Sequence, residues 1–233
     1  MLRRTTKLWA PGLLALVIAG CGETSTAAPT PKPTAAAPVA PTAEIVKAAL
    51  VSDGDVPNSQ VGQAPTEGSE AALVSDGLVP TACIKTTGIT AGTRDAVGTD
   101  VSQSLAAAAK AVTEAVIIEA KPADTVTDIG QATAGARACP AHDQNTAEQF
   151  GDSSVTTATL TIGSWTGTRT TALDTFATGV TKVASYVYFL GLTGGLLVLQ
   201  LGVAFANVEP AVLYQQQADA LATKLSQRLA ALS

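Results

Sequence analysis

The sequence predicts an α+β domain that combines antiparallel strands with helices. The segment VTEAVIIEA at residues 112–120 alternates along its length and is rich in β-branched side chains, which is typical of a strand. The side chains of residues 154–165 alternate between two faces, one of them rich in threonine, as in antiparallel sheets that have one face exposed to solvent. From residue 209 onward, leucine and alanine recur at three- and four-residue steps, which indicates a C-terminal amphipathic helix.

The N-terminal residues have the layout of a bacterial export signal. Three basic residues among the first seven precede an apolar run at residues 13–19, which is too short to span a bilayer. The residues directly before Cys21 are Ile18-Ala19-Gly20, which resemble a lipobox, where the cysteine thiol is joined to diacylglycerol. We therefore predict a lipoprotein signal peptide at residues 1–20 and lipidation of Cys21, with an ordinary free cysteine as the alternative. The lipid places the protein on the extracytoplasmic face of the cell membrane.

The next segment, residues 21–42, is predicted to be a tether. It holds five prolines among alanine, threonine and serine, and it cannot bury enough apolar surface to offset its ordering entropy. Residues 43–233 remain as one domain. Signal cleavage removes three basic residues and changes the formal charge from −5 to about −8, which leaves no basic stripe for nucleic acid.

Two cysteines, Cys83 and Cys139, remain once Cys21 is assigned. An even pair in an exported protein favours a disulfide over a metal site, and the spacing of 56 residues offers no C-x-x-C cluster for zinc. Closing such a loop stabilises the folded state by roughly 4 kcal/mol in the chain-entropy model. We predict the disulfide, with two free buried thiols as the alternative.

A nine-residue sequence occurs twice, as ALVSDGDVP at residues 49–57 and as ALVSDGLVP at residues 72–80. A calcium loop is one interpretation, but a proline stands at the next ligand position and the second copy replaces Asp55 by Leu78. Both copies keep the apolar pair and the turn. We therefore interpret the repeat as two chain reversals that dock on the core rather than as a ligand site.

Three helices are predicted before the last strands. The first begins at Thr42 as its N-cap and ends at Gly54 in a left-handed conformation. Residues 100–111 are alanine-rich and therefore helix-prone. Pro122 suits the first turn of a further helix, which ends before Cys139-Pro140 because proline prevents its continuation.

The most apolar stretch, residues 186–207, contains no charge and is long enough to span a membrane. Thr193-Gly194-Gly195 at its centre instead favours a hairpin turn between two core strands. A second membrane anchor is also redundant beside the lipid. We predict the hairpin, with a membrane span as the alternative.

The residues offer little chemistry for catalysis. His142 is the one histidine, and we expect it to be a solvated residue of the polar loop CPAHDQN. No G-x-S-x-G, S-x-x-K or H-E-x-x-H motif is present, and neither is a phosphate-binding glycine loop. We therefore predict no enzyme activity, no metal and no cofactor, with a cryptic hydrolase as a minor alternative.

The order of these features resembles the PknH-type extracellular sensor domain of actinobacteria. The residues that carry the resemblance are ALVSDGDVP, VPTACIK with Cys83, VTEAVIIEA followed by ADTVTDIGQATAGARAC, YVYFLGLTGGLLVLQLG and the C-terminal helix. The resemblance covers most of residues 43–233. It implies a twisted antiparallel sheet with helices packed on one side, and a cleft for an unidentified ligand. Members often carry a second disulfide, for which this chain has no cysteines, and Trp165 has no assignable role in such a cleft.

The sequence thus predicts a lipid-anchored, extracytoplasmic and non-enzymatic binding protein of the sensor-domain type. We expect its partners to be the membrane, through the lipid, and a small-molecule, lipid-like or protein component of the cell envelope. The sequence does not specify which residues bind the ligand. The alternative is a structural or interaction lipoprotein of the envelope without a small-molecule site.

Overall fold

A computed structural model describes residues 37–56, 59–69, 95–104, 109–138, 150–176, 182–206 and 211–233. These residues form helices and the strands of a sheet. The helices are α1 (Ala43–Ala49), α2 (Pro122–Ala138) and α3 (Ala211–Ala230). The strands are β1 (Gln60–Ser69), β2 (Asp95–Ser104), β3 (Ala109–Ile118), β4 (Phe150–Ile162), β5 (Trp165–Phe176), β6 (Lys182–Leu192) and β7 (Leu197–Ala206).

The strands lie in one sheet with the order β1-β2-β3-β7-β6-β5-β4, and every neighbouring pair is antiparallel. The order consists of two meanders, β1 to β3 and β4 to β7. Helix α2 connects the meanders and allows β7 to pair with β3, so that residues from both halves of the chain meet at the sheet centre. The predicted α+β class, with an antiparallel sheet and a C-terminal helix, is confirmed.

The central hairpin, β6 with β7, accounts for the most apolar stretch of the sequence. Residues 193–196 join the two strands, and Gly194 there has a φ of +70°, a conformation that favours glycine. Most side chains of both strands are buried. The predicted hairpin is confirmed, and among the described residues no helix has the length and hydropathy to cross a membrane.

Helices α1 and α3 pack together on one face of the sheet. The side of α3 that contacts the strands consists of small and branched apolar side chains, all of them buried: Ala218, Leu221, Ala222, Leu225 and Leu229. Each fully buried leucine contributes about 1.5–3 kcal/mol relative to an exposed one. Helix α1 adds Val46 and Ala49 to the same core.

Helix α2 lies against the opposite face. A Cβ atom at Gly191 of β6 would lie 2.5 Å from Cγ1 of Ile129 and 2.9 Å from Cγ2 of Thr125, so the helix contacts the strand closely at this glycine. The strand neighbours Leu190 and Leu192 belong to the core under α3, because successive side chains of a strand alternate between faces. Thus α1 and α3 lie on the same face of the sheet, as the resemblance to the sensor domain implied, while α2 covers the opposite face.

Two details of the predicted helices are wrong. The described part of residues 100–111 belongs to strands β2 and β3. Alanine favours a helix by less than about 0.7 kcal/mol per residue, and at the described residues Ala109 and Ala111 the pairing of β3 with β2 outweighs that local preference. Helix α1 begins at the predicted cap, Thr42, but it ends at Ala49 rather than at Gly54, because the backbone at Leu50 is extended.

Several predictions fall outside the described residues. They concern residues 1–36 with Cys21, the second repeat copy at residues 72–80, the cysteines Cys83 and Cys139, and His142. All of these stay predictions, as do the boundaries of the signal peptide and the tether.

Candidate functional site

A cleft opens where β4 and β5 extend beyond α3, which packs on β6 and β7. The cleft has a volume of about 180 Å³. Its lining comes from β4, β5, β6 and α3: Ser154, Thr156, Thr171, Leu173, Ala184, Tyr186 and Gln215. Thr156, Thr171 and Tyr186 are cross-strand neighbours in one row across the sheet, which explains why they share this lining. We call this feature the edge cleft.

An ion pair joins α3 to β5 at one end of the edge cleft. Arg169 lies on β5 two residues before the cleft residue Thr171, and its Nη1 donates to both carboxylate oxygens of Asp219 on α3, at 2.7 and 2.8 Å. The hydroxyl of Tyr188 donates to Asp219 Oδ1 at 2.7 Å. Burial and this hydrogen bond raise the pKa of Tyr188 well above its usual value, so its hydroxyl remains a donor at physiological pH.

Some N–H groups of Arg169 do not bond to Asp219. Gln215 lies one helical turn before Asp219, and its amide oxygen, in the orientation that satisfies both groups, accepts from Arg169 Nη2 at 3.1 Å. Arg169 Nε is buried and has no hydrogen-bond partner among the described residues. Gln215 therefore belongs both to the cleft wall and to the contacts of Arg169, and it links the ion pair to the cleft.

The lining of the edge cleft combines two kinds of surface. The hydroxyl groups of Ser154, Thr156 and Thr171 donate and accept hydrogen bonds, while Leu173 and the ring of Tyr186 provide apolar contact. This combination suits a ligand that has both polar and apolar parts. Within the described ranges, no group of three His, Cys, Asp or Glu side chains is placed to hold a metal ion.

The first repeat copy is held by a set of ionisable residues that we call the ionisable cluster: Asp55, Glu114, Lys224 and Arg228. The Asp55 side chain is only 2% exposed, and it accepts from Lys224 at 2.8 Å and from Arg228 Nη1 at 3.0 Å. The backbone N–H of Ser52 also donates to it, at 3.0 Å. Burial by itself would raise the pKa of Asp55, but these hydrogen bonds outweigh burial and hold the pKa well below its usual range.

Arg228 also stabilises the loop by hydrogen bonds to backbone carbonyl groups of the loop. Arg228 Nη1 donates to the carbonyl oxygens of Ala49 and Leu50, at 3.3 and 3.0 Å. The side chains of Leu50 and Val51 are buried in the core beneath this contact. For the first copy, the interpretation of the repeat as a chain reversal docked on the core is therefore confirmed, with Asp55 as an anchor.

Glu114 lies beneath this loop, on the side of β3 that faces the core. It is fully buried, its Oε2 accepts from the backbone N–H of Val51, and its Oε1 has no hydrogen-bond partner in the part of the chain that the structure describes. Burial raises the pKa of Glu114 to about 8, although the Val51 N–H and the charge of Arg228 act to lower it. The carboxyl is therefore mainly protonated at neutral pH.

The sequence alone gives no role for Glu114 or Arg169, although it contains one signal for each of them. Glu114 interrupts an otherwise apolar strand face, and Arg169 is the single charged residue between Asp152 and Asp174. Neither signal reveals a partner, because Arg169 and Asp219 are 50 residues apart in the chain. Trp165 is buried in the core and does not line the edge cleft.

The fold is similar to a solved structure, the crystal structure of the extracellular domain of PknH from Mycobacterium tuberculosis. The match has a TM-score of 0.50 at 12% sequence identity, and it covers 82% of this chain and 96% of that one. At this identity the similarity shows the fold alone. No family model matches the sequence, and a search of curated proteins gives no match.

Proposed function

We propose that this protein is a binding module of the cell envelope, anchored by a lipid on Cys21, and that it holds its ligand in the edge cleft. The observation that carries the proposal is the lining of that cleft, where hydroxyl groups and apolar side chains meet Gln215, itself a partner of Arg169. The similarity in fold to an extracellular domain supports a location outside the cytoplasm. The proposed role is binding without a catalytic step.

The size of the edge cleft limits what it holds. Its volume of about 180 Å³ is smaller than the roughly 300–1,000 Å³ of pockets that enclose drug-sized ligands. The cleft therefore fits one ring or one short chain of a ligand, and the remainder of a larger ligand lies along the open side at β4. The hydroxyl-bearing lining selects a part that carries its own hydrogen-bonding groups.

Thermal unfolding in the presence of cell-envelope extracts tests the proposal, with one aqueous and one organic-solvent extract as the probes. A ligand at about 100 times its Kd stabilises the native state by about 2.7 kcal/mol. In a domain of this size, that raises the Tm by roughly 5–10 °C.

A pair of matched variants connects the shift to the edge cleft. Thr156→Phe places a ring in the cleft, whereas Thr161→Phe makes the same change at an exposed position on the opposite face of the same strand. We expect the shift to disappear in Thr156→Phe and to persist in Thr161→Phe. A shift that survives in both variants places the ligand elsewhere, and the absence of any shift with either extract contradicts the proposal.

The lipid anchor has a separate test. Labelling with radioactive palmitate is expected to mark the native protein, and Cys21→Ser is expected to abolish the label because no thioether can form. A label that persists in Cys21→Ser contradicts lipidation at this residue.

An interaction lipoprotein without a small-molecule site is the second candidate function. The observation that favours it is the regularly paired and uncharged part of the edge strand β4, residues 153–162. This candidate predicts that no extract changes the Tm while the protein still self-associates or binds an envelope protein.

A further inference from the structure

The two edges of the sheet differ in regularity. Strand β1 contains Pro65 and has register shifts against β2 on both sides of Gln63. It also carries Glu67, which forms a salt bridge with Lys47 at 3.0 Å. Proline, bulges and charge prevent an edge strand from pairing with a further strand. The β1 edge is therefore protected against sheet extension.

The β4 edge lacks these features. After an irregularity between Phe150 and Asp152, β4 pairs with β5 without interruption as far as Ile162. Residues 153–162 contain no charged residue and no proline. Many of the side chains here are exposed: Ser154, Thr156, Ala158, Thr159 and Thr161. A long, regular and uncharged edge is a template for another strand.

The turn between β4 and β5 determines which backbone groups face outward. It consists of residues 163–164 only, so Ile162 and Trp165 form the closing, hydrogen-bonded pair of the hairpin. Hydrogen-bonded and non-hydrogen-bonded pairs alternate along an antiparallel ladder. The N–H and C=O groups of the odd-numbered residues from 155 to 161 therefore point away from β5, toward the side of β4 where none of the described strands lies.

We propose that β4 pairs with β4 of a second copy of this chain, antiparallel and about a twofold axis at Ala158. A twofold interface requires a self-complementary surface, and this register places Thr157 opposite Thr159 of the second copy. Threonine pairs across neighbouring strands stabilise a sheet. The net negative charge of the protein does not oppose the contact locally, because residues 153–162 carry no charge.

This pairing adds a wall to the edge cleft. In the proposed register, the cleft residues Ser154 and Thr156 lie opposite Ile162 and Leu160 of the second copy. All four positions share one face of the joined sheet, because side chains two residues apart lie on the same side of a strand. The second copy thus borders the open side of the cleft. The inference goes beyond the proposed binding role, and self-pairing is measured without any ligand.

Cysteine cross-linking of the full chain in its membrane tests the pairing. Ala158 of the two copies forms a non-hydrogen-bonded pair with a Cα separation of about 4.5 Å, which lies within the range of a disulfide. Mild oxidation of Ala158→Cys is expected to give a covalent dimer on a non-reducing gel. Thr161→Cys is the matched control, and we expect about tenfold less dimer because its thiols are not opposite each other. Wild-type protein gives the background from its native cysteines.

A second pair of variants distinguishes a dimer formed through backbone hydrogen bonds from cross-linking by random collision. Thr159→Pro removes an outward N–H that makes no bond to β5, whereas Thr159→Ala keeps it. Added to Ala158→Cys, the proline is expected to reduce the dimer about tenfold, whereas the alanine, which loses only the threonine pair, is expected to reduce it much less. The melting temperature of Thr159→Pro shows whether the domain still folds. If it does not fold, the comparison of Ala158→Cys with Thr161→Cys decides by itself.

Three outcomes overturn the proposal. The first is equal cross-linking of Ala158→Cys and Thr161→Cys, which indicates random collision. The second is a folded Thr159→Pro variant that dimerises as well as Thr159→Ala does. The third is an adduct of Ala158→Cys with a different protein, which makes β4 a docking strand for that protein instead of for a second copy.

Discussion

Replacing Glu114 by glutamine is expected to remove a strong pH dependence from the stability of the domain. The carboxyl is fully buried, and only one of its oxygens has a hydrogen-bond partner among the described residues, the Val51 N–H. An amide of the same shape keeps an oxygen for that N–H and carries no titratable proton. The substitution therefore changes the titration while it keeps the contact with the loop.

The sign of the pH effect follows from where the proton is bound. Folding raises the pKa of Glu114 from 4.5 to about 8. Between these values the folded state holds a proton that the unfolded state has released, so the free energy of unfolding falls as the pH rises. The contribution is fully present below pH 4.5 and is lost as the pH rises through about 8. At roughly 1.4 kcal/mol per pKa unit, the total loss is about 5 kcal/mol.

Urea unfolding followed by tryptophan fluorescence measures this loss, because Trp165 is 1% exposed in the folded state. Titration of Asp55 does not interfere, since its lowered pKa makes its contribution disappear only as the pH falls below about 4. We expect the wild-type protein to lose most of the 5 kcal/mol between about pH 5 and about pH 9, while Glu114→Gln loses little. Any other group that titrates in this range contributes equally to both proteins, so its effect cancels in the difference between them.

A matched control is Glu44→Gln, which removes an exposed carboxyl in the first turn of α1 and so reports any general effect of charge. If the stability of Glu114→Gln follows the same pH profile as the wild type, then Glu114 does not titrate in this window. The account of a buried, protonated carboxyl under the first repeat copy is then wrong.

Three further predictions concern the other contacts and the cysteines. Asp55→Leu, which gives the first repeat copy the residue of the second, is expected to destabilise the domain by about 2–4 kcal/mol in urea unfolding, because basic side chains of α3 lose a buried partner. Asp53→Leu, at an exposed position of the same turn, serves as its control, with a change below about 0.5 kcal/mol. Tyr188→Phe is expected to cost about 1–2 kcal/mol, since it removes a hydrogen bond to a charged acceptor. Thiol titration of denatured, unreduced protein is expected to find no free thiol from Cys83 or Cys139.

Each of these experiments has a contrary result. Equal destabilisation by Asp55→Leu and Asp53→Leu means that the turn itself, and not the ion pairs of Asp55 with α3, stabilises the position of the loop. Unchanged stability in Tyr188→Phe means that the phenol contributes nothing to the contact between α3 and the sheet. Two reactive thiols refute the predicted disulfide.

Local sequence patterns predicted several elements correctly, because each pattern is contained within its element. The alternation around Val116 identified β3, Pro122 located the start of α2, and the glycines at residues 194–195 indicated the turn of the central hairpin. The helix prediction failed for residues 100–104 and 109–111, the described parts of that range, because they pair with neighbouring strands on both sides. Propensity is a weak preference, and tertiary pairing overrides it.

The candidate sites depend on contacts that no local pattern contains. Glu114 meets the backbone of Val51, which is 63 residues away in the chain, and Arg169 meets Asp219, which is 50 residues away. The edge cleft likewise exists only because three strands and α3 place their side chains in adjacent rows. Strand order and helix placement decide which distant residues become neighbours.

By itself, the sequence determined the α+β class, the central hairpin and the C-terminal helix, because side-chain periodicity specifies these within short segments. The tertiary structure alone decided that α2 lies on the face opposite α3, that Asp55 and Glu114 are buried together, and that β4 is an edge strand of the sheet that the described residues form. The physical reason is the sheet order, in which β7 pairs with β3 and brings the two halves of the chain side by side.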